Sequence, residues 1–314
     1  MFDAEVAAVI RSLDAGFPKV EEMTGAEARA AIAARRQPVR NRDDVARTED
    51  REIPGPGGGV PVRLYFPHRR GDEPLPVVVF CHGGGFVFCD IESHDAFCRE
   101  LSGRTSSVVV SVDYRLAPEH KAPAAVLDAY AALTWAADNA RGFGGDPDRL
   151  LIAGDSAGGN LAAAACLMAR DNGGPAVAGQ VLIYPVLDPS CDTGSYREYG
   201  TGYGNTRAAM EWYWRQYLPA DGVAGPRHQV VPPAAHTLRG LPPAVVVTAG
   251  LDPLSDEGRA YAAALARDGV PVTHRHYPGL FHGFLTIMSL RAARSARDLL
   301  WHDLCAATEQ GATS

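Results

Sequence analysis

Short apolar runs recur along this chain, and the stretches between them carry helical spacing. Runs at residues 77–81, 107–113, 150–153, 179–185, 243–250 and 270–277 have the length and the β-branched content of buried strands. Residues 122–140, 161–169 and 256–268 read as helices between them, and a closing helix is expected from about residue 283. Asp146-Pro-Asp148 turns the chain into the run at Leu150. Strands alternating with helices in this order predict an α/β protein with a largely parallel sheet. Right-handed crossovers then place helices on both of its faces.

Two regions depart from that rhythm. In the first 45 residues, Val6, Val9, Ile10 and Leu13 would share one helical face, and residues 26–36 favour a second helix that Pro38 ends. Residues 40–50 are polar and read as a connector. Ile53-Pro-Gly-Pro-Gly-Gly-Gly59 reads as a turn cluster, better taken as a hairpin loop than as a phosphate cradle, and residues 60–66 alternate as a strand. The second departure covers residues 190–241, rich in Gly, Tyr and Trp, with a helix near 206–218. It reads as an insertion into the α/β pattern.

Bulk properties narrow the function. A chain of 314 residues with 46% hydrophobic and 21% charged positions can bury a large core without staples. Its net charge of −7, with scattered basic residues, argues against a nucleic-acid surface. No apolar run approaches the roughly 18 residues of a membrane span. The first residues carry acid where a signal peptide wants base, so a cytoplasmic protein is expected. The six cysteines, Cys81, Cys89, Cys98, Cys166, Cys191 and Cys305, form no C-x-x-C pair and no metal-ligand spacing. They read as buried thiols in a reducing compartment, with a reactive thiol at Cys89 as the alternative. No metal and no organic cofactor is implied.

Chemistry collects at the C-terminal ends of the predicted strands, the edge where parallel sheets bind ligands. Gly154-Asp-Ser-Ala-Gly158 stands between an apolar run and an Ala-rich helix. A G-x-S-x-G there forces a tight strand–turn–helix junction. It lifts the Ser156 hydroxyl above the sheet at a helix N-terminus, although the same residues also fit a serine cap in an ordinary turn. His82-Gly-Gly-Gly-Phe86 follows the 77–81 strand and can aim bare backbone amides at one oxygen. Asp252 follows the 243–250 strand, and His282 lies between glycines after the 270–277 strand. The order Ser, Asp, His matches an activated serine: histidine takes the hydroxyl proton and the carboxylate orients the histidine. The competitors are Asp256 and Glu257, which read as first-turn helix acids, and His274 and His276, which sit inside a strand. Asp252 before Pro253 also fits a helix cap. His82 is better suited to orient the glycine loop than to act as the base.

Five ordered motifs now carry a resemblance: His82-Gly-Gly-Gly-Phe86, Asp113-Tyr-Arg-Leu-Ala-Pro-Glu-His120, Gly154-Asp-Ser-Ala-Gly-Gly159, Asp252-Pro-Leu254 and His282-Gly-Phe284. Together, over roughly residues 60–300, the chain resembles the hormone-sensitive-lipase-like esterases, the bacterial family IV carboxylesterases. The resemblance implies an α/β-hydrolase fold, a mostly parallel central sheet flanked by helices, with a helical cap. It implies Ser156 as nucleophile, His282 as base and Asp252 as orienting acid. The amides of Gly83, Gly84 and Ala157 would form the oxyanion hole, supported by His82, Gly85 and Asp155. The Asp113-to-His120 run would pin the loops behind the site. Lys121-Ala-Pro123 departs from the family's usual Phe-Pro and touches only local packing.

On that reading residues 1–45 form the N-terminal part of the cap, 46–190 the first part of the core, 191–240 the cap insertion and 241–314 the second part of the core. Tyr196, Tyr199, Tyr203, Trp212, Tyr213, Trp214 and Tyr217 would mostly pack cap onto core, with one or two lining the pocket. The expected activity is hydrolysis of short- to medium-chain esters, C2 to C8. An amidase or lactonase with the same three residues, or a non-catalytic small-molecule receptor, is the alternative. The expected partner is a small-molecule ester, and the last strand is a candidate seam for a homodimer.

Overall fold

The computed structural model of the chain describes residues 3–68 and 71–311. Two helices come first, α1 (Ala4–Gly16) and α2 (Gly25–Ala33). Asp3 caps α1 by accepting the Glu5 and Val6 amides, and Thr24 forms a reciprocal capping box with Glu27 on α2. The sheet comprises β1 (Arg47–Gly55), β2 (Gly58–Phe66), β3 (Leu75–Cys81), β4 (Val108–Val112), β5 (Gly145–Asp155), β6 (Gly179–Ile183), β7 (Ala244–Leu251) and β8 (Val272–Phe281). Its order is β1-β2-β4-β3-β5-β6-β7-β8. The hairpin β1–β2 and the pair β2–β4 are antiparallel, and every pairing from β4 onward to β8 is parallel.

Helices cover both faces, and side-chain alternation along the strands assigns them. Val77 and Val79 of β3 pack on the side of α4 (Ala124–Asn139) and α5 (Ala157–Asn172). Val78 and Phe80 point the opposite way, toward Phe97 of α3 (Ile91–Thr105) and Trp301 of α9 (Arg294–Gly311). Because β3 is buried on both faces, its run of apolar residues is continuous instead of alternating. The remaining helices, α6 (Gly194–Tyr199), α7 (Arg207–Tyr217) and α8 (Ser255–Arg267), lie in the second half of the chain.

Four local features differ from expectation. Residues 47–50, expected to be part of a connector, instead begin strand β1, paired residue by residue with β2 from Arg47 opposite Phe66 to Gly55 opposite Gly58, and only residues 40–46 connect. Only Ile53 of this edge strand is buried, so the apolar signal is missing and its charged side chains face outward. Arg63 of β2 ties this hairpin to α3, pairing with Asp50, Glu92 and Asp95.

No apolar periodicity announces helix α3. Its apolar contacts are few and widely spaced, Ile91, Phe97, Cys98 and Leu101, while His94, Asp95 and Arg99 are also buried. Strand β5 begins at Gly145, so Asp146-Pro-Asp148 belongs to the strand, with an irregular register opposite Leu75 and Val77. The closing helix begins at Arg294 and not near residue 283, because Gly283 adopts a left-handed φ of 83° and turns the chain first.

The Asp113-to-His120 loop is fastened to α4. Asp128 is fully buried and accepts from the Arg115 amide at 3.0 Å and from its guanidinium at 2.8 Å on each oxygen. Asp128→Ala is expected to lower the unfolding free energy by about 3 kcal/mol, since it strands a half-buried guanidinium. Glu119→Ala, which breaks the surface pair with Arg29, should cost less than about 1 kcal/mol. Urea denaturation of both variants checks the contrast.

Candidate active site

Strand β5 delivers Ser156 to the C-terminal edge of the sheet, and α5 leaves immediately after it. Ser156 takes φ 56° and ψ −117°, a backbone state costly for a residue with a side chain. Its amide donates to the Ile183 carbonyl at 2.8 Å, and its carbonyl accepts from Val186 at 3.1 Å. The flanking glycines are required by close approach. A Cβ on Gly158 would lie 1.9 Å from the Cys81 carbonyl oxygen, and one on Gly154 would lie 2.2 Å from that of Gly158.

Strand β8 runs to Phe281, so His282 leaves the sheet at the strand's very end. Its Nε2 stands 3.0 Å from the Ser156 Oγ, and its Nδ1 2.8 Å from Asp252 Oδ2. Asp252 is fully buried after β7 and accepts the Leu254 amide on Oδ1 at 3.0 Å. It therefore does not cap α8, whose first turn begins after Leu254. The structure thus brings Ser156, His282 and Asp252 into one hydrogen-bonded line, although they lie far apart in sequence.

The competitors are occupied elsewhere. His274 and His276 both face Thr248 Oγ1 at 2.9 Å, and burial lowers the pKa of each. Asp256 accepts the Ser195 amide at 2.9 Å. Glu257 accepts the Leu187 amide at 2.6 Å, and burial pushes its carboxyl well above the usual range. Ser195 of α6 also donates to the Pro253 carbonyl at 2.6 Å, which ties the inserted segment to the loop carrying Asp252. No local pattern around Ser195 signals that tie.

The glycine loop lies against the elbow, with one correction to the expected donors. The Gly83 amide is engaged by Asp155 Oδ1 at 2.8 Å, so it is not free to receive an oxyanion. Gly84 and Gly85 take φ of 113° and 59°, and their amides, like that of Ala157 at the start of α5, have no acceptor among the described residues. The available donors are therefore one position further along the loop than expected.

His82 is fully buried, stacked on Tyr114 with ring centroids 4.3 Å apart, and its Nδ1 lies 2.7 Å from the Gly83 carbonyl oxygen. Burial, then the nearby His94, lowers its pKa to about 4, so the ring is neutral. Asp155 is buried too, and burial alone would raise its pKa. The His94 ring and the Gly83 amide outweigh that and hold it below the ordinary value.

Aromatic residues of the inserted segment pack on the loop's outer side. Tyr217 stacks on Phe86 at 3.9 Å, Trp214 is tilted against the same ring at 5.6 Å, and a Cβ on Gly85 would strike Tyr213. Tyr199 and Tyr203 instead join the core cluster on the α1 side. A cavity of about 1080 Å³ lies beside the loop, walled by Phe17, Ile32, Cys89, Leu116, Ile287 and Met288 among others. Ser156 and His282 are not on its wall. Its Cys89 wall borders the glycine loop: a Cβ on Gly84 would lie 3.0 Å from the Cys89 Cβ. Burial pushes the Cys89 thiol up to about 12, which disfavours the thiolate. All six cysteines are free.

A mostly parallel sheet, a serine on a strand–helix elbow, and a histidine and carboxylate from the last two strands define an α/β hydrolase. Residues 78–286 match the family model described as alpha/beta hydrolase fold. The chain is 44% identical over 252 residues to the carboxylic ester hydrolase LipN of Mycobacterium tuberculosis, covering 79% of this chain and 66% of that one. It is 39% identical to an arylesterase of Saccharolobus solfataricus, covering 78% and 79%. Among solved structures, a variant of esterase rPPE complexed with (S)-Ac-CPA superposes with a TM-score of 0.90 at 32% identity, covering 98% of both chains. The hyperthermophilic esterase of Pyrobaculum calidifontis gives 0.86 at 39%, covering 97% and 98%. The chain belongs to the hormone-sensitive-lipase-like, bacterial family IV carboxylesterases. Among the described residues no helix is long and apolar enough to cross a membrane.

Gly158→Ala is expected to destabilise the protein by about 2–3 kcal/mol, because its new methyl meets backbone that no rotamer change can move. Chemical denaturation against wild type measures this.

Proposed function

We propose that this chain is a serine carboxylesterase for short- to medium-chain esters, working through an acyl-enzyme on Ser156. The observation that carries the reading is the continuous line from Asp252 to His282 to the Ser156 hydroxyl, beside three amides that lack acceptors among the described residues. In the acylation step His282 Nε2 removes the Ser156 proton as Oγ attacks the ester carbonyl. The developing oxyanion is received by the Gly84, Gly85 and Ala157 amides, with the α5 N-terminus adding its partial positive charge. His282 then gives the proton to the departing alcohol. Water, deprotonated by the same ring, releases the acid and restores the serine. Asp252 holds the tautomer with Nδ1–H toward itself and offsets the charge on the imidazolium.

On this reading residues 1–45 and 191–240 together form the cap, and the cavity beside Cys89 receives the acyl or alcohol group. The six free thiols fit the reducing cytoplasm. Strand β8, at the edge of the sheet, offers the seam for a homodimer. The non-catalytic receptor reading is disfavoured by His282, whose ring stands within hydrogen-bond reach of Ser156.

Ser156→Ala is expected to abolish hydrolysis of p-nitrophenyl esters while leaving the thermal unfolding midpoint within a few degrees of wild type. Wild-type activity in that variant would overturn the reading. Across p-nitrophenyl esters from C2 to C16, kcat/KM should peak within C2 to C8. Matched lactone and anilide substrates should turn over more slowly.

A further inference from the structure

We infer that His94, on the first turns of α3, is a positioning residue for the oxyanion-binding loop, acting through Asp155 on the Gly83 peptide. This rests on the reading of Ser156 as nucleophile. His94 Nε2 lies 3.1 Å from Asp155 Oδ1, and the same oxygen accepts the Gly83 amide at 2.8 Å. One carboxylate oxygen therefore joins three segments: the elbow, the glycine loop and α3. The following peptide unit, which carries the Gly83 carbonyl and the Gly84 N–H, is held as well, by His82 Nδ1 on that carbonyl at 2.7 Å. With the peptide units before and after Gly83 both held, the chain continues through Gly84 and Gly85 at positive φ, and their amides have no acceptor among the described residues.

His94 is in turn set by its neighbours. Its Nδ1 faces Ser93 Oγ at 3.0 Å, and that hydroxyl accepts the Asp90 amide at 2.9 Å within the cap of α3. Its ring stands 5.7 Å from that of His82 and 6.0 Å from that of Phe80. Both His94 and Asp155 are buried, so solvent does not replace either partner freely. A carboxylate next in sequence to the nucleophile also opposes negative charge forming on the substrate. A donor at Nε2 offsets that opposition and keeps the carboxylate turned toward Gly83. Without the imidazole, the Gly83 amide is the one donor left to the Asp155 carboxylate among the described residues, and the carboxylate is free to rotate away or take up a proton, so that Gly83 loses its anchor.

The test is steady-state kinetics on p-nitrophenyl butyrate with His94→Ala and His94→Gln, together with inhibition by a phosphonate transition-state analogue. The expected result for His94→Ala is a kcat about ten- to a hundredfold below wild type. That is less than the loss of an oxyanion donor outright, and KM should stay within about twofold. Reactivity toward the phosphonate should fall in parallel. His94→Gln, which carries an amide donor, should recover most of the lost kcat. If His94→Ala does not fold, His94→Gln against His94→Met compares donor with no donor at similar volume. Unchanged kcat in a folded alanine or methionine variant would overturn the inference. So would a change confined to KM, or equal losses in the glutamine and methionine variants. The nucleophile reading fails separately, if Ser156→Ala retains activity.

Discussion

The architecture turns on a single backbone reversal, the passage from β5 through Ser156 into α5. A left-handed φ at a serine is unfavourable by about 1–3 kcal/mol, and it persists only where surrounding structure leaves no alternative. Here the alternative is removed by proximity. The backbone of Gly158 lies so close to the Cys81 carbonyl, and Gly154 so close to Gly158, that β3, β5 and α5 meet almost backbone to backbone. The Ser156 amide is then tied to β6 through Ile183. Four central elements share the strain, and the hydroxyl projects where two other loops arrive.

Those loops are held by different kinds of interaction. Asp252 and His282 come from the ends of neighbouring parallel strands, so sheet register alone brings them close, and the buried carboxylate completes the alignment. The glycine loop has no such ladder. It is located by polar contacts behind it, Asp155 on Gly83 and the Tyr114 hydroxyl on the His82 carbonyl at 2.7 Å. In front, the aromatic layer of Phe86, Tyr213, Trp214 and Tyr217 closes over it. Small side chains make the loop able to expose amides, and that same lack of side chains makes it dependent on outside contacts for its shape.

Much of this was legible in the chain, and the exceptions have a common cause. Buried strands such as β3 and β4 announce themselves because both faces must be apolar. Strand β1 does not, because one ladder of hydrogen bonds to β2 suffices to hold an edge whose side chains meet water. Helix α3 is silent in the sequence because its buried face is partly polar: Asp95 receives the Tyr65 hydroxyl and the Arg63 and Arg99 guanidiniums, contacts that no periodicity of apolar residues records. The late start of α9 follows from Gly283, read in the sequence as the beginning of a helix but serving as a left-handed turn.

The order of motifs was enough, without coordinates, to single out Ser156, Asp252 and His282 as candidates and to predict a helix-flanked parallel sheet. Those features are local: a glycine-bracketed serine after an apolar run, and a polar residue at the end of each later run. The choice of amides was a different matter. Three consecutive glycines are equivalent in sequence, and only the carboxylate of Asp155, 72 positions away from Gly83, takes one of them and leaves the next two open. The same holds for His94, an unremarked helix residue until folding buries it against that carboxylate. Composition and spacing determine which groups exist and which strand ends carry them. Which donor meets which acceptor is decided by packing, because a buried polar group takes the partner that tertiary structure sets beside it.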